Sequence, residues 1–371
     1  MAPPTTLLDL PDDVLIMLPS YLRNIEDYVS FASTCQRLRH ASRSTSSNIV
    51  LRLAAAQSST FFRPSPHFLV AATARDLGQW ARLSKTNEEL LALKCQDGVQ
   101  GLLDLALQHC GLTMMRIREL HQMRFDLINP AIDLVDKCVG PQWVSTPGFW
   151  DGEVDDAYTI HADPPETLLH LVIYGELFAP DFDAFLAGVG IRTISVDTRL
   201  EFVKYCVPDF ACECADPELS ISDPRRAVKA VGPYAPSETH HRYRGDNHNL
   251  ALTWVIRSTR WKPHWKSLRA MAGPDFQDDF DDQWWYDAAD DQDWRQRMWE
   301  CVMICQGFGT LQMLRPHLRQ SWVPTITQWR DQIRRLPREP VTVMVGRQAT
   351  LQYPYLLGDL RICVSGYVAG T

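Results

Sequence analysis

The sequence predicts a mainly α fold: a three-helix unit at the N-terminus, then an irregular all-helical domain with minor β near the C-terminus. Three observations carry this. Apolar residues recur at intervals of three and four in segment after segment, which marks helices with one buried face. A chain of 371 residues with 45% hydrophobic content can bury a large core. Strand-like stretches are confined to residues 340–345 and the glycine-spotted tail after Tyr355.

The first helix opens at Leu10-Pro11-Asp12-Asp13. Pro11 suits the first helical position, where a missing N–H costs nothing. Asp12 and Asp13 set negative charge at the positive end of the helix dipole. Val14, Leu18 and Leu22 follow at intervals of four with Leu15 beside them, giving one apolar stripe. Pro19 removes a hydrogen bond to the Leu15 carbonyl, so the spacing predicts a kink or a new turn starting at Pro19. Glu26-Asp27 opens a second short helix bearing Tyr28, Val29, Phe31 and Ala32. Ser33-Thr34-Cys35 then leads into Gln36-Arg37-Leu38-Arg39, a basic, polar third element.

Residues 10–39, LPDDVLIMLPSYLRNIEDYVSFASTCQRLR, resemble an F-box in the order of these features. In that family the three helices pack on a Skp-type adaptor, which links to a cullin scaffold and a RING subunit. The resemblance implies the substrate-receptor subunit of a Skp–cullin–F-box ubiquitin ligase, a non-catalytic role that bridges the adaptor to an unknown target protein. Leu10, Pro11, Val14, Leu15, Leu18 and Leu22 fall where the family contacts its adaptor or holds its helices together. Asp27, Val29, Phe31 and Leu38 fall on the second and third helices. The implied adaptor-binding set is therefore Leu10, Pro11, Val14, Leu15, Leu18, Leu22, Val29, Phe31 and Leu38. The F-box is assigned to residues 1–48 and the target side to residues 49–371.

Along residues 49–371 the periodicity predicts helices over 67–83, 87–94, 98–109 and 114–123, then 165–174, 197–206 and 249–258. Over 293–306, Trp294, Met298, Cys301, Val302 and Cys305 form a core-facing stripe, so Cys301 and Cys305 are read as packing residues and not metal ligands. Glu166–Val172 carries a single ankyrin-like turn sequence with no 33-residue echo, and helix-pair packing explains it equally well. Segments 169–180, 198–210, 294–307 and 354–360 resemble the C-terminal region of a large group of filamentous-fungal F-box proteins, which implies one helical domain of unknown ligand. Two surface loops are expected. Residues 208–246 hold Pro208, Pro217, Pro224, Pro233 and Pro236. Residues 275–293 carry nine aspartates around Trp284, Trp285 and Tyr286. That second loop either offers these three aromatics to a basic target, as candidate target-binding residues, or is a solvated acidic insert whose tryptophans fold back.

Other functional classes are excluded or disfavoured by chemistry. A formal net charge of −8 argues against a broad phosphate-binding surface, so no nucleic-acid partner is expected. Arg330 to Arg338 is the nearest thing to a basic patch, and a helix face accounts for it. No basic leader precedes a long apolar stretch, and no apolar run approaches the ~20 residues that span a bilayer. The ten cysteines are scattered through apolar-periodic segments, as in a reducing compartment. The expectation is an intracellular protein of cytoplasm, nucleus or both, with no membrane partner. Gly188-Val-Gly190 lacks the third glycine of a dinucleotide loop, and no phosphate loop or nucleophile elbow exists. Cys206, Cys212 and Cys214 with His240, His241 and His248 do not have zinc-site spacing, and no metal or cofactor is expected. Two alternatives stand beside the receptor: an F-box-containing interaction protein acting outside proteolysis, and a metal-dependent enzyme.

Overall fold

The computed structural model describes residues 6–56, 65–111, 114–136, 164–206, 262–276, 294–337, 342–345 and 348–351, and these are mostly helical. At the N-terminus Asp12–Met17 (α1) gives way to a 3-10 turn, Leu18–Tyr21, followed by Ile25–Thr34 (α2) and Gln36–Arg43 (α3). Pro19 explains the first break: it stands second in the 3-10 turn, where no i→i−4 donor is needed. Pro11 lies one residue earlier than the sequence reading places it. It is the N-cap, with its carbonyl accepting from the N–H groups of Val14 and Leu15 at 3.0 and 3.1 Å.

The body begins with Ser47–Ala55 (α4), Pro66–Arg82 (α5), Lys85–Cys95 (α6), Gly98–His109 (α7) and Met114–Met123 (α8). Ser65 and Ser84 cap α5 and α6 by accepting from the N–H groups of Phe68 and Asn87. A π-helical segment, Arg124–Ile128, joins α8 to Asn129–Asp136 (α9). Pro130 accounts for it: with no N–H to give and a ring that crowds the carbonyl four residues back, it is preceded by a widened ladder in which Asn129 N–H reaches Arg124 O.

Pro164–Ala187 (α10) is the central helix and packs against α5, α9 and Val196–Cys206 (α11). It also meets Trp294–Ile304 (α13), Phe308–Leu314 (α14) and Val323–Arg335 (α15), while Lys262–Ala272 (α12) lies against α14 and α15. The sequence reading ends α10 at Tyr174, before Gly175 and Pro180; the helix runs through both. Leu168, Leu171, Val172, Ile173, Tyr174, Leu177, Phe178 and Phe182 are all buried, so packing on nearly every side outweighs the local breakers. Gly175 is required where α10 meets the backbone at Gly307: an added β-carbon would stand 2.6 Å from Gly307 Cα. The neighbouring Glu176 carboxylate accepts from Phe308 N–H at 2.9 Å, capping α14, and pairs with Arg75 at 2.9 Å. Arg82 pairs with Asp181 at 2.7 Å and donates to Leu177 O at 2.8 Å. The order of these pairs shows that α5 and α10 run in the same direction.

The 293–306 stripe is buried as expected, with Trp294, Met298, Cys301, Val302 and Cys305 inside, and Trp299 fully enclosed as well. Arg330 also turns inward. It lies over the rings of Phe276 and Trp299 and donates to Pro274 O at 2.7 Å, while Arg334 is exposed. Thr342–Val345 and Gln348–Leu351 pair antiparallel as two four-residue segments, the second against α11, which is too little to establish a minor β element of the fold. The helix expected at 249–258, the loop at 208–246 and nearly all of that at 275–293 lie outside the described residues.

Two apolar clusters organise the described chain. The large one draws on α4 to α15 and also takes Ile25 and Tyr28 from α2. The small one is Leu15, Leu38 and Ala41, with Leu10, Leu18, Phe31 and Cys35 packed on it. A boundary at 48/49 falls inside α4, whose Val50, Leu51, Leu53 and Ala54 share the large core with Ile25 and Tyr28.

Candidate functional site

The N-terminal unit is built from short helices that no single helix propensity would hold, so side chains tie it together. Asn24 accepts from Asp27 N–H at 2.8 Å and starts α2. The Tyr28 hydroxyl donates to Ser42 O at 2.7 Å, and the Ser42 hydroxyl donates to Leu38 O at 2.7 Å, so α2 and α3 share a buried polar seam. Arg52 of α4 donates to Ser20 O at 2.6 Å, fixing the 3-10 turn to the body.

Arg37 of α3 gathers the chain that leads into α1. Its guanidinium donates to Asp12 Oδ1 at 2.8 and 3.0 Å, to Leu10 O at 2.9 Å and to Leu8 O. Ahead of it, Leu7–Asp9 forms a 3-10 turn closed by Thr6, whose N–H and hydroxyl both donate to the Asp9 carboxylate, at 2.6 and 2.8 Å. Those two donors from Thr6, backbone first, hold the Asp9 carboxyl below its usual range.

The nine residues expected at the adaptor divide into three groups. Leu15 and Leu38 are 0% and 2% exposed, inside the small cluster, so they hold α1 to α3 and no partner reaches them without unfolding. Leu10, Leu18 and Phe31 are half-buried on that cluster, and Leu22 is half-buried against the large one. Pro11, Val14 and Val29 are exposed. The structure adds side chains that the sequence reading passed over: Leu7, Leu8, Ile16, Met17 and Tyr21 are exposed too, Tyr21 by 74%. Helical spacing carried part of this signal, because Met17 lies about 200° round the helix from the buried Leu15. Leu7 through Val29 thus expose seven large apolar side chains, against six in all the other described residues. This stretch is the densest in exposed large apolar side chains among the described residues.

Elsewhere the candidates disperse. Trp284, Trp285 and Tyr286, and likewise Cys212, Cys214, His240, His241 and His248, lie outside the described residues. Cys206 is buried, its thiol donating to Cys95 O at 3.6 Å. Among the described residues no three His, Cys, Asp or Glu side chains stand together as a metal site. No helix among them is long and apolar enough to cross a membrane. No family model, curated protein or solved structure matches the chain.

Proposed function

We propose that the protein is an F-box-type substrate receptor, docking a Skp-type adaptor through α1 to α3 and presenting a target protein on the helical body. The observation that carries the reading is the exposed apolar set Val14 and Met17 on α1, Tyr21 in the 3-10 turn and Val29 on α2, in a unit that opens with Leu10-Pro11-Asp12-Asp13. The mechanism is proximity. The receptor holds a target beside a ubiquitin-charged enzyme, and a bimolecular transfer becomes effectively intramolecular. No side chain of this chain takes part in bond making.

The test is adaptor capture by the full chain, comparing wild type with Val14→Asp/Met17→Asp. Both positions are exposed, so the double variant keeps its fold, checked by its thermal midpoint. Adaptor binding by wild type that the variant loses supports the receptor reading. If wild type fails to bind any Skp-type adaptor, the reading falls. Binding with no protein stabilised when the chain is deleted would move the function to an adaptor-bound protein acting outside proteolysis.

A further inference from the structure

We infer that the docking surface extends N-terminally past the Leu-Pro pair to Leu7 and Leu8, and that Arg37 is the positioning residue that holds this extension in place. The inference rests on the receptor reading above and deepens it. Leu7 and Leu8 are 46% and 43% exposed, yet their backbone is not left free. The Thr6–Asp9 box closes the turn from one side, and Arg37 takes the carbonyls of Leu8 and Leu10 from the other. Leu7 and Leu8 are thus two exposed leucines in a fixed turn, and Arg37 ties that turn to Asp12 at the start of α1, the helix that bears the exposed Val14 and Met17.

The energetics point the same way. The Arg37–Asp12 pair is open to solvent, with side chains 45% and 73% exposed, and such pairs add little to global stability. One guanidinium engaging three groups at once does something else: it selects a single path for residues 8–12. Fixing a segment in its bound conformation raises affinity by removing the ordering cost from the binding step. Arg37 suits this and lysine does not, because only the planar fork reaches several acceptors together.

The experiment is a double-mutant cycle on the full chain, with adaptor affinity, thermal midpoint and amide exchange of residues 8–14 as readouts. Arg37→Ala is expected to weaken adaptor binding about tenfold, speed exchange over residues 8–14 and leave the midpoint nearly unchanged. Arg37→Lys should recover only part of the affinity. Leu7→Ser/Leu8→Ser should also weaken binding, and adding Arg37→Ala to that background should cost less than it does in wild type. Additive losses would make Arg37 a direct contact and overturn the positioning role. Full binding by either variant alone would overturn it as well. A wild type that does not bind the adaptor would sink the receptor reading and this inference with it, whereas a wild type that binds as tightly as Arg37→Ala sinks only the inference.

Discussion

Leu15→Ala and Val14→Ser are adjacent changes with opposite expected consequences. Leu15 is fully enclosed by Leu38, Ala41 and their half-buried neighbours, so truncation leaves a cavity in addition to the lost transfer energy. Fully buried Leu→Ala changes cost about 2–5 kcal/mol. Leu10 and Leu18 line the site from a partly exposed position and can settle inward, which favours the lower half, about 2–3 kcal/mol. Val14 is 38% exposed, and its loss should cost about 0.5 kcal/mol or less. The cluster is small and its buried members come from α1 and α3 alone, while α2 is held by the large core through Ile25 and Tyr28, so the cost should appear as local opening of α1 and α3. Native-state amide exchange reads this directly. In Leu15→Ala, protected amides of α1 and α3 should exchange roughly 30- to 150-fold faster while those of α10 hold their protection. Val14→Ser should leave all of them unchanged and still weaken adaptor binding. If the two variants accelerate exchange equally, or if α10 loses protection with α1, then Leu15 does not hold a separate unit and the division into structural and contact residues is wrong.

Three further outcomes are expected. Gly175→Ala places a β-carbon against Gly307 backbone and should cost about 1–3 kcal/mol in denaturant unfolding, whereas Gly190→Ala, with open space around it, should be near neutral. Burial opposes ionisation of Glu88, but the Ser195 N–H and Arg192 outweigh it and hold the carboxyl below the ordinary 4.5. Its contribution is present above that value and is lost as pH falls through the lower folded-state pKa, so thermal midpoints taken from pH 7 down to 3 should fall less steeply at the acid end in Glu88→Gln than in wild type. Burial pushes the Cys110 thiol up to about 12 and the Cys206 thiol up as well, so alkylation at pH 8 followed by peptide mapping should label these two only after denaturant is added.

The legible parts of this chain are those where local pattern and burial agree. Helices α7 and α8 begin and end where apolar spacing places them, Gly98–His109 and Met114–Met123. The stripe from Trp294 to Cys305 lies in the core because its period matches one helix face. Legibility fails where distant contacts decide. Gly175 and Pro180 look like stops for α10, and only the helices packed around it carry it on to Ala187. Arg75, Arg82, Glu176 and Asp181 have no spacing signal, because their pairs join residues about a hundred positions apart. The site follows the same rule. A four-residue apolar spacing groups Val14 with Leu18, but whether a residue is exposed or buried depends on α3, which supplies Leu38 beneath Leu15 and Arg37 across to Leu8.

α2 is the element that joins the two clusters, and its faces explain how one short helix can serve both. Ile25 and Tyr28 enter the large core, Phe31 packs on the small cluster and Val29 faces solvent. The Tyr28 hydroxyl bonds across to α3, and Arg52 secures the turn before α2 to α4. A unit fastened through a shared core does not swing as it would on a flexible linker, whose effective concentration is spread over its whole reach. In the proposed receptor this fixes the direction from adaptor to target, so the rate gain from proximity depends on the same contacts that fold the unit. A change that loosens α2, such as Tyr28→Phe with its lost bond to Ser42 O, should therefore slow target modification more than it weakens adaptor binding. Equal losses in both would show that the shared core sets stability alone and not the geometry of presentation.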